Sequence, residues 1–193
     1  MNRKKNFERK TKETEIQGHL NLDGEGISEI QTGIGFLDHM LDLWVFHSGF
    51  DLTLSCQGDL YVCAHHSVED IAIVLGSSFL EALGNRVGIA RYATIFLPMD
   101  ETLTRTVIDI SGRPCHIFHG TFGKNDIGSF PVEMTQHFFQ SFATSAKLTL
   151  HQEILYGDND HHRIESLFKG FGKALAQAVA VTSAKIPSSK GML

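Results

Sequence analysis

Cysteine is scarce: the chain has three, Cys56, Cys63 and Cys115. An odd number with no Cys-x-x-Cys pair excludes a disulfide framework and leaves free thiols, as expected of a cytoplasmic protein in a reducing setting. Basic charge is not in excess either. Against 22 Asp and Glu there are 17 Lys and Arg, a net charge of −5, so no nucleic-acid partner is expected. The one basic run, Arg3-Lys4-Lys5 with Arg9-Lys10, reads as a solvated terminal arm. Long apolar runs are missing too. None approaches the roughly eighteen residues of a membrane span. The charged N-terminus leads into no hydrophobic segment of the kind a signal peptide carries.

What the chain does have is histidine in a pattern. The motif His-His-x-x-Glu stands at His65-His66-Ser67-Val68-Glu69 and again, 96 positions later, at His161-His162-Arg163-Ile164-Glu165. Random placement of these residue types predicts roughly 0.04 such motifs in a chain of this length. Two copies half a chain apart therefore read as a duplicated metal-ligand cassette, since imidazole and carboxylate are what divalent first-row metals take from protein. In a helix each residue turns about 100°, which puts the two imidazoles too far apart to chelate one ion. The first His and the Glu (i, i+4) can share one metal, and the second His and the Glu (i, i+3) another.

Both cassettes open amphipathic helices. Val68, Ile71, Ala72, Leu75, Phe79, Ala82 and Leu83 form the apolar stripe of the first; Ile164, Leu167, Phe168, Phe171, Leu175 and Ala178 form that of the second. Lys169 falls within the second ligand stripe, where its counterpart in the first is Ile73. That divergence suggests a cation recruited to a substrate. Each cassette also follows a helix carrying one further ligand candidate, His39 in Ile34–Leu41 and His137 in the segment after Pro131, a favourable first-turn residue.

Alternating apolar residues predict strands at 14–22, 26–31 and 51–56 in the first half, and at 91–97, 103–110, 114–119 and 148–155 in the second. The fold class expected is α+β with an internal duplication. Each half reads strand-strand-helix-strand-helix, with an added strand at 91–97, and the halves divide at 1–90 and 91–193. The first hairpins correspond as well: Glu13 precedes Gly24, and Glu101 precedes Gly112, by the same interval.

Several stretches taken together resemble one family. Thr32-Gly-Ile-Gly-Phe-Leu-Asp-His-Met-Leu41, His65-His-Ser-Val-Glu-Asp70, Pro98-Met-Asp-Glu101, Asp109-Ile-Ser-Gly-Arg-Pro114, Gly157-Asp-Asn-Asp-His-His162 and Pro187-Ser-Ser-Lys-Gly191 are similar to the imidazoleglycerol-phosphate dehydratases of histidine biosynthesis. The resemblance covers the chain from about Glu8 onward. It implies a lyase with two manganese ions per active site, in a homo-oligomeric cage of about 24 subunits whose sites lie where subunits meet. It further implies one metal held by His39, His66, His162 and Glu165, and another by His65, Glu69, His137 and His161. Glu13 matches the family's active-site glutamate. Arg91, Arg113, Ser188 and Lys190 match its phosphate-binding groups, and Lys169 its substrate-contacting lysine. Leu43 departs from the pattern, where the family often has Gln. A chain of 193 residues has no room for the fused phosphatase domain that some relatives carry.

The implied substrate is a small phosphorylated imidazole, bridged as imidazolate between the metals, which loses water to leave a ketone. One carboxylate must remove a C–H proton and an acid must protonate the leaving hydroxyl. Glu13, Glu165 and Asp100 are the candidates; Glu165 is divided between ligation and base, and Asp100 equally reads as a carboxylate that orients a histidine. Two other classes use the same ligands: a dinuclear metallohydrolase, and a non-catalytic metal-binding assembly. The second leaves Glu13, Arg91, Arg113 and Lys169 without a role.

Overall fold

The structure is a computed structural model and describes residues 3–191. Two halves repeat one design. The first runs β1 (Lys4–Lys10), β2 (Thr14–Asn21), β3 (Ser28–Gln31), α1 (Gly35–Ser48), β4 (Asp51–Gly58) and α2 (His65–Leu83). The second runs β5 (Tyr92–Met99), β6 (Thr102–Asp109), β7 (Cys115–His119), the two-residue strands β8 (Asp126–Ile127) and β9 (Phe130–Pro131), α3 (Met134–Ala146), β10 (Thr149–Tyr156) and α4 (Asp160–Val179). The sheets have matching orders, β1-β2-β4-β3 and β5-β6-β10-β7. In each, the outer hairpin and the central pair are antiparallel, and the last strand joins in parallel. This is the duplicated α+β architecture that the sequence pattern predicts.

Two local expectations are corrected. The basic terminus is no solvated arm; it is edge strand β1, the counterpart of β5, so each four-stranded sheet takes three strands from before the first helix of its half. Only Phe7 is apolar there, too little for a hydrophobic period to register. Its place is set by a partner: Phe7 stands opposite Gly18 in the register, and a Cβ at Gly18 would come within 2.6 Å of the Phe7 ring. The missing side chain leaves a bed for the aromatic ring. Ion pairs Arg9–Asp70 and Lys5–Glu81 then tie β1 to α2. Pro131 does not begin a helix; it ends β9, and α3 starts at Met134.

The helices pack across the duplication. α1 lies against α4 and α2 against α3, so each contact joins one half to the other. The two crossings use equivalent glycines. A Cβ at Gly76 would come within 2.5 Å of the Phe142 carbonyl oxygen, and one at Gly172 within 2.7 Å of that of Trp44. Only glycine allows this approach of backbone to backbone. Around the crossings Trp44, Phe50, Phe79, Phe138, Phe139, Phe142, Phe168 and Phe171 are buried, with Trp44–Phe50, Phe138–Phe139 and Phe142–Phe171 meeting edge to face. Each contributes roughly 1.5–3 kcal/mol through burial. The crossings matter for function, because they set cassettes from one half against histidines from the other.

One titrating group in the second sheet gives a stability prediction. His116 on β7 packs on Phe139 and bonds Gln152 Oε1 at 3.3 Å. Burial pushes its pKa down to about 4. The unfolded chain therefore takes up this proton first, near pH 6.5, and stability is lost as pH falls from there to about 4. The full loss is about 3 kcal/mol. His116→Gln keeps a donor for Gln152 and cannot be protonated. Urea unfolding of the two proteins should therefore show the wild type losing stability relative to the variant over this pH interval; a constant difference would contradict the assignment.

Candidate metal centre and active site

Both cassettes stand at helix starts, for local reasons that differ. Asn159 caps α4 by accepting from the His161 N–H. Asp160 accepts the Gly123 and Lys124 N–H groups and pairs with Arg163. α2 has no side-chain cap at Ala64; a turn running from Asp59 leads directly into His65. Within each helix the i, i+4 reading holds. His161 Nε2 lies 2.9 Å from Glu165 Oε2, and His65 Nε2 lies 3.8 Å from Glu69 Oε2.

The third member of each group comes from the other half. His39 on α1 approaches Glu165 at 3.6 Å, and His137 on α3 approaches Glu69 at 3.2 Å. The donor atoms of His39, His161 and Glu165 lie within 4.8 Å of one another, and so do those of His65, Glu69 and His137. Two donors each about 2.1 Å from one ion stand about 3.0 Å apart at a right angle, so small side-chain rotations would close either group on a cation. A further observation fits a metal: His137 Nε2 is buried and, though 3.2 Å from Glu69 Oε1, makes no well-aligned hydrogen bond, a gap that coordination would fill.

His66 and His162 belong to neither group within the chain. Each turns its Nδ1 to a carboxylate, Asp59 at 3.1 Å for His66 and Glu101 at 2.7 Å for His162. Their Nε2 atoms point toward Glu13 Oε1 at 3.7 Å and Asp100 Oδ2 at 3.8 Å. The hydrogen bond to Asp59 raises the His66 pKa. The His162 ring, followed by the Asn159 N–H, holds the Glu101 carboxyl well below the usual range. The sequence suggests a histidine-orienting role for Asp100, but not for its neighbour Glu101 or for Asp59, which make these contacts. The available signals were the Gly-Asp pair after both β4 and β10, and the equivalence of Glu101 to Glu13.

The three candidate acid–base groups sit in unlike surroundings. Glu165 is 7% exposed; burial opposes its charge, but Lys169 at 2.5 Å and His161 outweigh this and lower its pKa. Lys169 thus touches a candidate ligand directly. Asp100, 80% exposed and with positive φ, occupies the tight turn between β5 and β6. Glu13 occupies the matching turn between β1 and β2, and its carboxylate accepts no hydrogen bond among the described residues.

The remaining residues lie apart. Arg91 pairs with Asp109 at 2.7 Å and donates to the Pro187 carbonyl, which draws the tail bearing Ser188 and Lys190 against the second sheet. Arg113 is exposed, and among the described residues only its backbone is engaged. Among the described residues none of Arg91, Arg113, Ser188 or Lys190 bonds to either histidine group. Leu43 is half-buried against the core. A groove of about 520 Å³ runs between β1 and α2 and is not lined by either cassette. The histidines of both groups are partly exposed instead.

This arrangement has relatives. Residues 32–175 match the family model described as imidazoleglycerol-phosphate dehydratase. The imidazoleglycerol-phosphate dehydratase of Clostridium botulinum is 53% identical over 193 residues, covering 100% of this chain and 99% of the relative. That of Rhodopseudomonas palustris is 53% identical over 97% of this chain and 96% of its own length. The crystal structure of the Staphylococcus aureus dehydratase superposes with a TM-score of 0.85 at 40% identity, over 93% of this chain and 99% of that one. The Pyrococcus furiosus structure gives 0.84 at 34% identity, over 97% and 100%. With paired cassettes, crossed helices and full-length similarity in agreement, the chain belongs to the imidazoleglycerol-phosphate dehydratase family, hydro-lyases that perform the dehydration step of histidine biosynthesis.

Proposed function

We propose that this chain converts imidazoleglycerol phosphate to imidazoleacetol phosphate and water in a site that holds two divalent cations, manganese by preference. The observation that carries this reading is the cross-half assembly of two three-residue donor groups, one at each cassette. His39, His66, His162 and Glu165 would hold one ion, and His65, Glu69, His137 and His161 the other, an assignment that takes His161 away from the group it forms with His39 and Glu165 within the chain. Bound there, the ions would draw charge from the substrate ring as Lewis acids. His66 and His162 stand outside both groups, and every candidate histidine of the cassettes is partly open to solvent. A site completed by neighbouring subunits, in a homo-oligomer of about 24 chains, accounts for both facts. The free thiols Cys56, Cys63 and Cys115 suit a cytoplasmic setting.

The chain's own residues divide the remaining work. Glu13, with an unengaged carboxylate, takes the proton from the carbon next to the ring-bearing one. The electrons of that C–H bond form a C=C bond, the C–O bond at the ring-bearing carbon breaks, and the oxygen leaves as water after protonation by an acid such as Asp100 or Glu165. The resulting enol becomes the ketone by proton transfer. Arg113, Lys190 and Ser188 offer donors to the phosphate dianion. Arg91 contributes by fixing the tail that carries two of them.

The test is product identity. Manganese-loaded protein supplied with imidazoleglycerol phosphate should yield a ketone with the phosphate ester intact. Release of inorganic phosphate, or hydrolysis of generic phosphoesters and amides, would favour the metallohydrolase; binding of metal without turnover would favour the storage assembly.

A further inference from the structure

We infer that Asp59 and Glu101 are positioning residues that fix the tautomer of the second histidine in each cassette, and that the two halves have exchanged the origin of this carboxylate. The inference rests on the two-cation reading and goes beyond it, because none of the implied ligands or substrate groups includes either residue. Both rings show one geometry. A carboxylate faces Nδ1 of His66 at 3.1 Å and Nδ1 of His162 at 2.7 Å. A carboxylate only accepts, so Nδ1 carries the proton and the Nε2 lone pair is left outward for a cation.

The carboxylates come from non-equivalent positions. Gly58-Asp59 closes β4, and Gly157-Asp158 closes β10, so Asp158 is the counterpart of Asp59. Asp59 stands six positions before its cassette, a turn long enough for its side chain to return to His66; Asp158 stands three positions before His161. In the shorter loop the Asp158 and Asn159 N–H groups donate to Glu101 Oε1, at 3.1 and 2.9 Å, and Glu101 Oε2 turns to His162. Thr102 Oγ1 adds a further donor. Glu101 is the counterpart of Glu13 by place in the hairpin, and in the first half the same loop instead donates its Asp59 N–H to the Glu13 backbone carbonyl. Of two equivalent turn glutamates, Glu101 is thus fully engaged as an anchor. Asp59 takes that duty in the first half and leaves Glu13 free.

This division predicts unequal responses to conservative changes. In Glu101→Gln the amide oxygen stays with the two backbone N–H groups, which forces the NH2 toward His162 Nδ1. The ring must then carry its proton on Nε2, where the lone pair is needed. Asp59 has both oxygens at 3.1 Å from Nδ1, so Asp59→Asn can rotate and still accept, whereas Asp59→Ala cannot. Nitrogen-15 spectra of the metal-free full chain, at about pH 8.5 where histidine is neutral, should show Nδ1–H tautomers for His66 and His162. Glu101→Gln should switch His162 alone. Calorimetric titration with Mn2+ should show affinity lowered roughly 10–100-fold by Glu101→Gln and Asp59→Ala, and nearly restored in Asp59→Asn. Nε2–H tautomers in the wild type, or unchanged Mn2+ affinity in both damaging variants, would overturn the inference. The spectra need no metal, so they decide the positioning role even if the wild type takes up no Mn2+, an outcome that would sink the two-cation reading instead.

Discussion

Replacing Glu13 by glutamine should lower turnover by about a hundred- to ten-thousand-fold while metal content and particle size stay unchanged. The magnitude is that of a lost proton transfer. The expectation comes from where Glu13 sits. It is absent from both donor groups, is 52% exposed, and holds its carboxylate 3.7 Å from His66 Nε2. Glutamine has nearly the same volume, and the turn is held by backbone and Thr11 contacts that do not use the carboxylate. On the proposed role, the substitution removes the proton acceptor and little else. Because that group acts mainly in the transition state, kcat should fall and KM should move little. Steady-state kinetics with metal analysis on the same sample checks this. Normal turnover in the variant, or loss of bound metal, would show that the role belongs elsewhere.

Glu101→Gln offers an internal contrast, since the residue occupies the equivalent turn. Its defect should be repaired by raising the Mn2+ concentration, which restores occupancy. The Glu13→Gln defect should not respond. Two glutamates related by duplication would thereby be separated into one that acts on substrate and one that orients a ligand.

Much of this molecule was legible from periodicity alone. His65-His66-x-x-Glu69 and its repeat lie on strongly amphipathic stretches, so helix, phase and the i, i+4 pairing of His65 with Glu69 and of His161 with Glu165 followed from geometry. Alternation in 14–22 and 51–56 was equally plain, because Ile16, Leu20, Leu52 and Leu54 all face the core. The resemblance paired His39 with Glu165 and His137 with Glu69, and the crossed helices bring those residues together.

What escaped reading depends on contacts remote in sequence. β1 has one apolar residue, and only the vacancy above Gly18, on another strand, explains why the chain pairs there. Pro131 satisfied a helix-start rule yet belongs to a two-residue bridge, because β8 and β9 form an insertion with no counterpart in the first half. Asp59 and Glu101 are ordinary turn residues by composition; their meaning appears only when His66 and His162 fold back on them. The wider site has the same character. Among the described residues Arg113 and Lys190 bond to neither histidine group, and neither sits in a periodic or repeated motif that would mark it.

Removal of metal should have the largest effect of all. On the two-cation reading, chelation would take away the charge that polarises the substrate ring and leave clustered imidazoles and carboxylates with no shared cation. Turnover should fall by at least about a thousandfold, since several kcal/mol of transition-state stabilisation is at stake. It should not be rescued by changing pH, because no side chain supplies an equivalent charge. The decisive measurement is titration of the stripped protein with Mn2+, following bound metal and ketone formation together. Two donor groups in each chain predict that binding saturates at two ions per chain, and that full activity appears only as the second is filled. Full activity at one ion per chain, or turnover that survives complete removal of metal, would contradict the account.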